Sequence, residues 1–108
     1  MVDAKGSKNL SDLGACSAFI DQVVRVANMT ELSRFRVELP SGLPTGPGIS
    51  IVVSIIESHV AIHTWPERGT LLFNIVSCQT FNTQVVTNLL RSTFEASITR
   101  KLVVPRVA

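Results

Sequence analysis

Ile49-Ser50-Ile51-Val52-Val53-Ser54-Ile55-Ile56, followed by Ser58-His59-Val60-Ala61-Ile62-His63-Thr64-Trp65, carries the strongest strand signals in the chain. The first run is nearly continuously β-branched and apolar, which predicts a central strand buried on both faces. In the second, Val60, Ile62 and Thr64 alternate with His59, Ala61 and His63, a period of two that predicts a second strand, antiparallel to the first if the chain turns near Glu57. Upstream, the breaker cluster Pro40-Ser41-Gly42-Leu43-Pro44-Thr45-Gly46-Pro47-Gly48 must be a loop, and Leu32, Phe35, Val37 and Leu39 approximate a half-buried strand leading into it. Further back, Ser11 to Asn28 spaces Leu13, Cys16, Phe19, Ile20, Val23, Val24 and Ala27 as one amphipathic helix, with Ser11 or Asp12 available as N-cap. Downstream, Pro66-Glu67-Arg68-Gly69 supplies a turn, Leu71 to Cys78 a strand, and Thr83 to Ser97 a helix striped by Val85, Val86, Leu89, Leu90 and Phe94. Lys101 to Val107 reads as an edge strand, because Pro105 would break a ladder in a central one. The implied order, a short β-α-β-β-β-α-β, predicts an α+β two-layer sandwich in which two helices cover one face of a mainly antiparallel sheet. The other face needs a cover, and a second copy of the chain is the expected one, giving a homodimer.

The 108 residues, 45% apolar and 17% charged, suffice for one domain and are too few for two. No segment approaches the roughly 20 consecutive apolar residues of a membrane-spanning helix, and the polar start Met1 to Leu10 reads as neither a secretory signal nor an anchor. A cytoplasmic location and no membrane partner are therefore expected. Ten basic residues against eight acidic give a net charge of +2, and the arginines are scattered singly, which argues against nucleic-acid binding. Cys16 and Cys78 form no CxxC pattern and read as thiols. With only two cysteines and two histidines at unsuitable spacing, no metal site is expected.

Glu57-Ser58-His59-Val60-Ala61-Ile62-His63-Thr64-Trp65-Pro66-Glu67 is the densest polar set in an otherwise apolar region, holding a hydroxyl, two imidazoles, two carboxylates and the one tryptophan. On residue types alone it reads either as a site or as a strand pair with polar turn residues and solvent-facing histidines. Parity adds a constraint. Ser58 and His63 are an odd number of residues apart and point to opposite faces of a regular strand, so a turn, bulge or chain break at Ser58 is needed for them to meet. Cys16 falls on the helix stripe and reads as core.

The run Glu57-Ser58-His59, then Ile62-His63-Thr64-Trp65-Pro66-Glu67, with Cys78 fifteen residues beyond His63, resembles the prokaryotic, pyruvoyl-dependent S-adenosylmethionine decarboxylase proenzyme family. The resemblance is strong over Gly48 to Cys78, with Gly48 and Ser50 its looser matches, and extends weakly to Val2-Asp3-Ala4-Lys5-Gly6 as a remnant of the family's first strand. It implies a proenzyme that cuts itself between Glu57 and Ser58, leaving residues 1–57 and 58–108 folded as one domain. Ser58 would attack the Glu57 carbonyl and end as a pyruvoyl group, the self-made cofactor. His63 would carry processing proton transfer and Ser50 would assist it. The pyruvoyl carbonyl would form a Schiff base with the α-amino group of S-adenosylmethionine, and Cys78 would donate the proton at the α-carbon. Trp65 and Glu67 would contact the nucleoside, the indole near adenine and the carboxylate on ribose. The product would be the decarboxylated aminopropyl donor of spermidine and polyamine biosynthesis.

The chain departs from this pattern at three places. The family carries residues including a Gly-x-His-Leu stretch ahead of Val2-Asp3-Ala4, so either the start is truncated or the sheet has lost an edge. Leu39, Leu43 and Pro44 occupy the region where the family has an adenine-stacking aromatic, leaving Phe35 as the local aromatic. Gln79 stands where the family often has Gly. These departures keep open a decarboxylase of a basic amino acid, arginine or ornithine, and, in a different class, an unprocessed regulatory homologue.

Overall fold

The fold rests on six strands in the spatial order β2-β3-β4-β5-β1-β6, every neighbouring pair antiparallel. A computed structural model describes residues 1–104. In chain order the elements are β1 (Val2–Lys5), α1 (Leu13–Val26), β2 (Glu31–Leu39), β3 (Gly48–Ile55), β4 (Ser58–Trp65), a 3₁₀ turn (Pro66–Arg68), β5 (Thr70–Ser77), α2 (Thr83–Phe94) and β6 (Ser97–Lys101). The α+β two-layer expectation holds, with one adjustment. Four strands separate the helices, where the expected order carried three: the segment read as a half-buried strand leading into the loop is a full member of the sheet, pairing with β3 over Glu31–Leu39.

Local chemistry sets the boundaries. Asp12 caps α1, its Oδ1 accepting the N–H of Ala15 at 2.9 Å. Asn82 does the same for α2, accepting from Gln84 and Val85. The second helix stops at Phe94, three residues before the expected Ser97, because Glu95 adopts the left-handed conformation (φ 44°) and its N–H returns to Arg91 O. That early stop frees Ser97–Lys101 to form the edge strand, upstream of the expected Lys101 to Val107. Pro105 and Val107 lie outside the described residues. Val2–Lys5 sits between β5 and β6 as an inner strand, not at a sheet edge.

One face of the sheet packs on the helices. Ile49, Ile51, Val53, Ile55, Val60, Ile62, Leu71 and Phe73 project from it onto Phe19, Ile20 and Val23 of α1 and Val86, Leu90 and Phe94 of α2, all buried. Phe19 is the keystone, meeting Phe73 and Phe94 edge-on with ring centroids 5.3 Å apart in both pairs. Each such side chain contributes about 1.5–3 kcal/mol through burial. The edge strand β2 is tied to α1 by Arg34, whose guanidinium donates to the Ser17 hydroxyl and carbonyl, to Asp21 and to Glu31. The expectation that Ile49 to Ile56 is buried on both faces is corrected. Val52 is 37% exposed and Ser54 is exposed, because helices cover only one side of the sheet.

β3 lies close against β4 at Gly48, where an added Cβ would lie 2.2 Å from the Thr64 carbonyl oxygen. Thr64 is itself buried, its hydroxyl donating to Leu10 O and accepting from the Ile49 N–H, so it cannot give way. Gly48→Ala is therefore expected to cost about 1–3 kcal/mol, the usual range for overpacking, read as a lowered urea midpoint. An unchanged midpoint would show that the strands can part at this position.

Candidate functional site

The β3–β4 hairpin is closed by the pair Ile55 and Ser58, which leaves Ile56 and Glu57 as its two-residue turn. Such turns favour Asn-Gly or Gly-containing sequences; neither Ile nor Glu relieves the geometry. The distortion falls on Ser58, whose φ of 152° lies in a region that L residues rarely adopt, at a typical cost of about 1–3 kcal/mol. The tip is pinned from two sides. Ile56 N–H donates to Thr30 O at 2.9 Å, and Thr30 N–H donates to Glu57 Oε1 at 3.1 Å. On the other side the Cys78 N–H donates to the Glu57 carbonyl oxygen at 3.1 Å. A serine in a strained conformation thus follows a carbonyl that is already hydrogen-bonded by an amide.

Cys78 sits just past β5. Ser77 is the β5 partner of Ser58, which brings Cys78 one residue beyond the cross-strand neighbour of the candidate nucleophile. Its thiol is free and the residue is exposed. Ser77 and Cys78 also line a cavity of about 450 Å³ between the end of β5 and the start of α2, with Ile75, Phe81 and Val86 among its apolar walls. Cys16, by contrast, is buried on α1, and burial pushes its thiol up to about 12, so it stays protonated and unreactive at neutral pH.

A second group gathers on the open face of the sheet. Ser50 and His63 are register partners on β3 and β4, with Ser50 Oγ 2.8 Å from His63 Nδ1. Burial lowers the pKa of His63 below its ordinary 6.5, which keeps the imidazole neutral and able to accept a proton. Trp65, two residues on and on the same face, lies with its ring 6.4 Å from that of His63. Glu67, in the 3₁₀ turn, lies against Gly46 of the Pro40–Pro47 loop. An added Cβ there would come within 2.9 Å of Glu67 Oε2. His59 occupies the same sheet face opposite Ser54.

The expected site residues therefore fall into two sets. Glu57, Ser58 and Cys78 meet at the hairpin tip, whereas Ser50, His63 and Trp65 lie along the open face, with Glu67 beyond them. The β3–β4 register runs unbroken from Ile49 to Ser58. Ser58 and His63 thus keep opposite parity, about 16 Å apart along β4 at roughly 3.3 Å per residue. The turn at Ile56–Glu57 does not bring them together within the chain. Thr30 and the Cys78 amide were not singled out from sequence, since both act at the tip through backbone groups that every residue carries.

Residues 1–107 match the family model described as S-adenosylmethionine decarboxylase. A curated S-adenosylmethionine decarboxylase proenzyme of Sulfurisphaera tokodaii is 32% identical over 69 residues, 64% of this chain and 52% of the relative. An arginine decarboxylase proenzyme of Aeropyrum pernix is 48% identical over a shorter run of 31 residues, 29% of this chain and 24% of the relative. The chain spans about half the length of the curated S-adenosylmethionine decarboxylase proenzymes it matches. The crystal structure of the adenosylmethionine decarboxylase of Aquifex aeolicus superposes with a TM-score of 0.68 over 99% of this chain and 91% of that one, at 18% identity, which establishes a shared fold.

The electrostatic state of His63 is directly measurable. NMR titration is expected to give a midpoint below 6.5, with the ring neutral at pH 7. Between that lowered value and 6.5 the unfolded chain binds the proton first, so His63 makes the fold less stable as pH falls through this window. A midpoint at or above 6.5 would mean that burial does not govern this histidine.

Proposed function

The chain belongs to the S-adenosylmethionine decarboxylase family, and from that premise we propose that it is a self-processing, pyruvoyl-dependent decarboxylase of S-adenosylmethionine. The observation that carries the reading is the hairpin tip, where Ser58 at φ 152° follows a Glu57 carbonyl held by the Cys78 amide. Strain at Ser58 raises the ground state of an otherwise unreactive peptide bond. Ser58 Oγ attacks the Glu57 carbonyl carbon, the C–N bond breaks, and the hydroxyl proton passes to the freed nitrogen, so the amide becomes an ester with no other reactant. Loss of the Ser58 Cα proton then expels the Glu57 carboxylate. Tautomerisation and addition of water release ammonia and leave a pyruvoyl group on residue 58, separating residues 1–57 from 58–108.

His63, neutral and hydrogen-bonded to Ser50, is suited to moving these protons. It cannot reach the Ser58 of its own protomer, and a second copy resolves that mismatch. The open sheet face carries Phe35 at 61% and Val52 at 37% exposure, an apolar surface suited to stacking on its counterpart. In such a homodimer the Ser50–His63 pair of one protomer serves the tip of the other.

The residues at the tip fit the group, since Ser58 is its source and Cys78 adjoins it. The pyruvoyl group supplies an electrophilic carbonyl that accepts the electron pair left by departing carbon dioxide. Cys78 returns a proton to the substrate α-carbon, and Trp65 and Glu67 contact adenine and ribose. The product is the aminopropyl donor of polyamine synthesis, made in the cytoplasm. A second reading, decarboxylation of a basic amino acid such as arginine or ornithine, draws support from the 48% identical stretch shared with an arginine decarboxylase proenzyme.

Mass spectrometry of the purified protein is expected to give two chains of about 6 kDa, at ~110 Da per residue, the second blocked by pyruvoyl. Ser58→Ala should stay whole, and an intact wild-type chain would leave a regulatory homologue instead. Cys78→Ala should process but lose turnover by about 10²–10⁴-fold, the usual worth of a positioned proton donor. Trans processing has its own check: His63→Ala precursor should be cut when co-assembled with Ser58→Ala chains, which supply His63. Failure of that complementation, or a monomer on gel filtration, removes the shared site. Labelled carbon dioxide release from S-adenosylmethionine, arginine and ornithine, assayed side by side, should be fastest with S-adenosylmethionine; preference for either amino acid selects the second reading.

A further inference from the structure

We propose that the Cys78 backbone N–H is the oxyanion donor for opening the Glu57–Ser58 peptide bond, and that Gln79 is the positioning residue that holds it there. The inference rests on the self-processing reading and deepens it. When Ser58 Oγ adds to the Glu57 carbonyl carbon, the C=O electron pair moves onto the oxygen, which becomes an anion until the C–N bond breaks. That oxygen already accepts the Cys78 N–H at 3.1 Å, before any charge develops. A preset donor of this kind strengthens as charge appears and needs no rearrangement at the moment of reaction.

An amide is an effective donor only if its backbone cannot drift. Cys78 lies just beyond β5, where the chain leaves the sheet and the ladder no longer fixes it. Two devices replace the ladder, and both run through Gln79. The Ser77 hydroxyl accepts the Gln79 N–H at 2.9 Å and donates to the Gln79 carbonyl at 2.8 Å, folding the chain so that Cys78 forms the apex. The Gln79 carboxamide nitrogen then donates to Ala27 O at 3.3 Å and Asn28 O at 3.2 Å. These carbonyls follow the end of α1, where helix geometry leaves acceptors without partners. Asn28 is in the left-handed conformation, φ 56°, which turns the chain sharply toward Thr30. Thr30 in turn grips the hairpin tip through the Glu57 carboxylate and the Ile56 N–H. A single turn, Ala27 to Thr30, thus holds the residue that bears the scissile carbonyl and the neighbour of the residue that donates to it.

The test follows cleavage of freshly translated precursor over time in wild type, Gln79→Ala and Gln79→Glu, with hydroxylamine added to parallel samples. Hydroxylamine cuts the ester, so it separates slow ester formation from slow elimination. Loss of the clamp is expected to slow cleavage on the order of tenfold, a fraction of the 10²–10³ lost when an oxyanion donor is removed outright. Gln79→Glu, close in shape but unable to donate when ionised, should slow it at least as much. In both variants the uncut precursor should remain resistant to hydroxylamine, because the blocked step precedes the ester. Melting temperatures compared in a Ser58→Ala background, where no chain is cut, should be unchanged. Equal cleavage rates in all three proteins, or accumulation of a hydroxylamine-sensitive ester, would overturn the assignment while leaving self-processing intact. A slowed rate accompanied by a matching drop in melting temperature in both variants would reduce Gln79 to a fold-stabilising residue and also overturn it. A wild-type precursor that never cuts overturns the processing reading, and this inference with it.

Discussion

The unbroken antiparallel register between β3 and β4 sets both what the core contains and where the polar residues stand. It commits Ile49, Ile51, Val53, Ile55, Val60, Ile62 and Thr64 to the helices and leaves Ser50, Val52, His63 and Trp65 on the opposite face. A slip of one residue would exchange the two sets, exposing the core and burying an imidazole. Gly48 protects this register at one end by allowing the strands to approach, and the two-residue turn fixes it at the other. The same alignment that builds the core therefore divides the polar residues between the hairpin tip and the open face.

Much of this was legible in the amino-acid sequence because the signals were periodic or chemically specific. Alternation from Val60 to Thr64 placed β4 at Ser58–Trp65, and the capping pair Ser11 and Asp12 announced the start of α1, where Asp12 is the cap. The parity of Ser58 and His63 warned that one regular strand could not bring them together, and the turn at Ile56–Glu57 leaves that warning in force. Other features carried no such signal. Glu95 stops α2 in a left-handed conformation usually marked by Gly or Asn, so the helix reads as longer than it is. The apolar run from Ile51 to Val53 suggested cover on both sides, but Val52 is exposed because, among the described residues, helices cover one side of the sheet only. The contacts at the tip are made by backbone amides and carbonyls, or by Gln79 and Glu57 reaching backbone groups, and residue types alone do not reveal them.

The two faces of the sheet divide the physical work. The helix side supplies cohesion through Phe19, Phe73 and Phe94, while the open side holds a half-buried, neutral histidine among residues that lack a helical cover. A histidine in such a setting keeps its basic form under conditions where an exposed one would begin to charge. On the sheet His63 lies between its register partners, Ser50 on β3 and Leu72 on β5.

The hairpin tip also bears on how the protein can be made. β3 and β4 are linked covalently through Ile56 and Glu57 and pair with each other, and each also pairs along its outer side, β3 with β2 and β4 with β5. The proposed break at Glu57–Ser58 would turn one folding chain into two interleaved fragments. Forming the structure is then a concentration-dependent encounter rather than a unimolecular collapse. The uncut chain can find its fold alone, whereas separated halves must first find each other, so a cut molecule that unfolds at high dilution has in practice lost its way back.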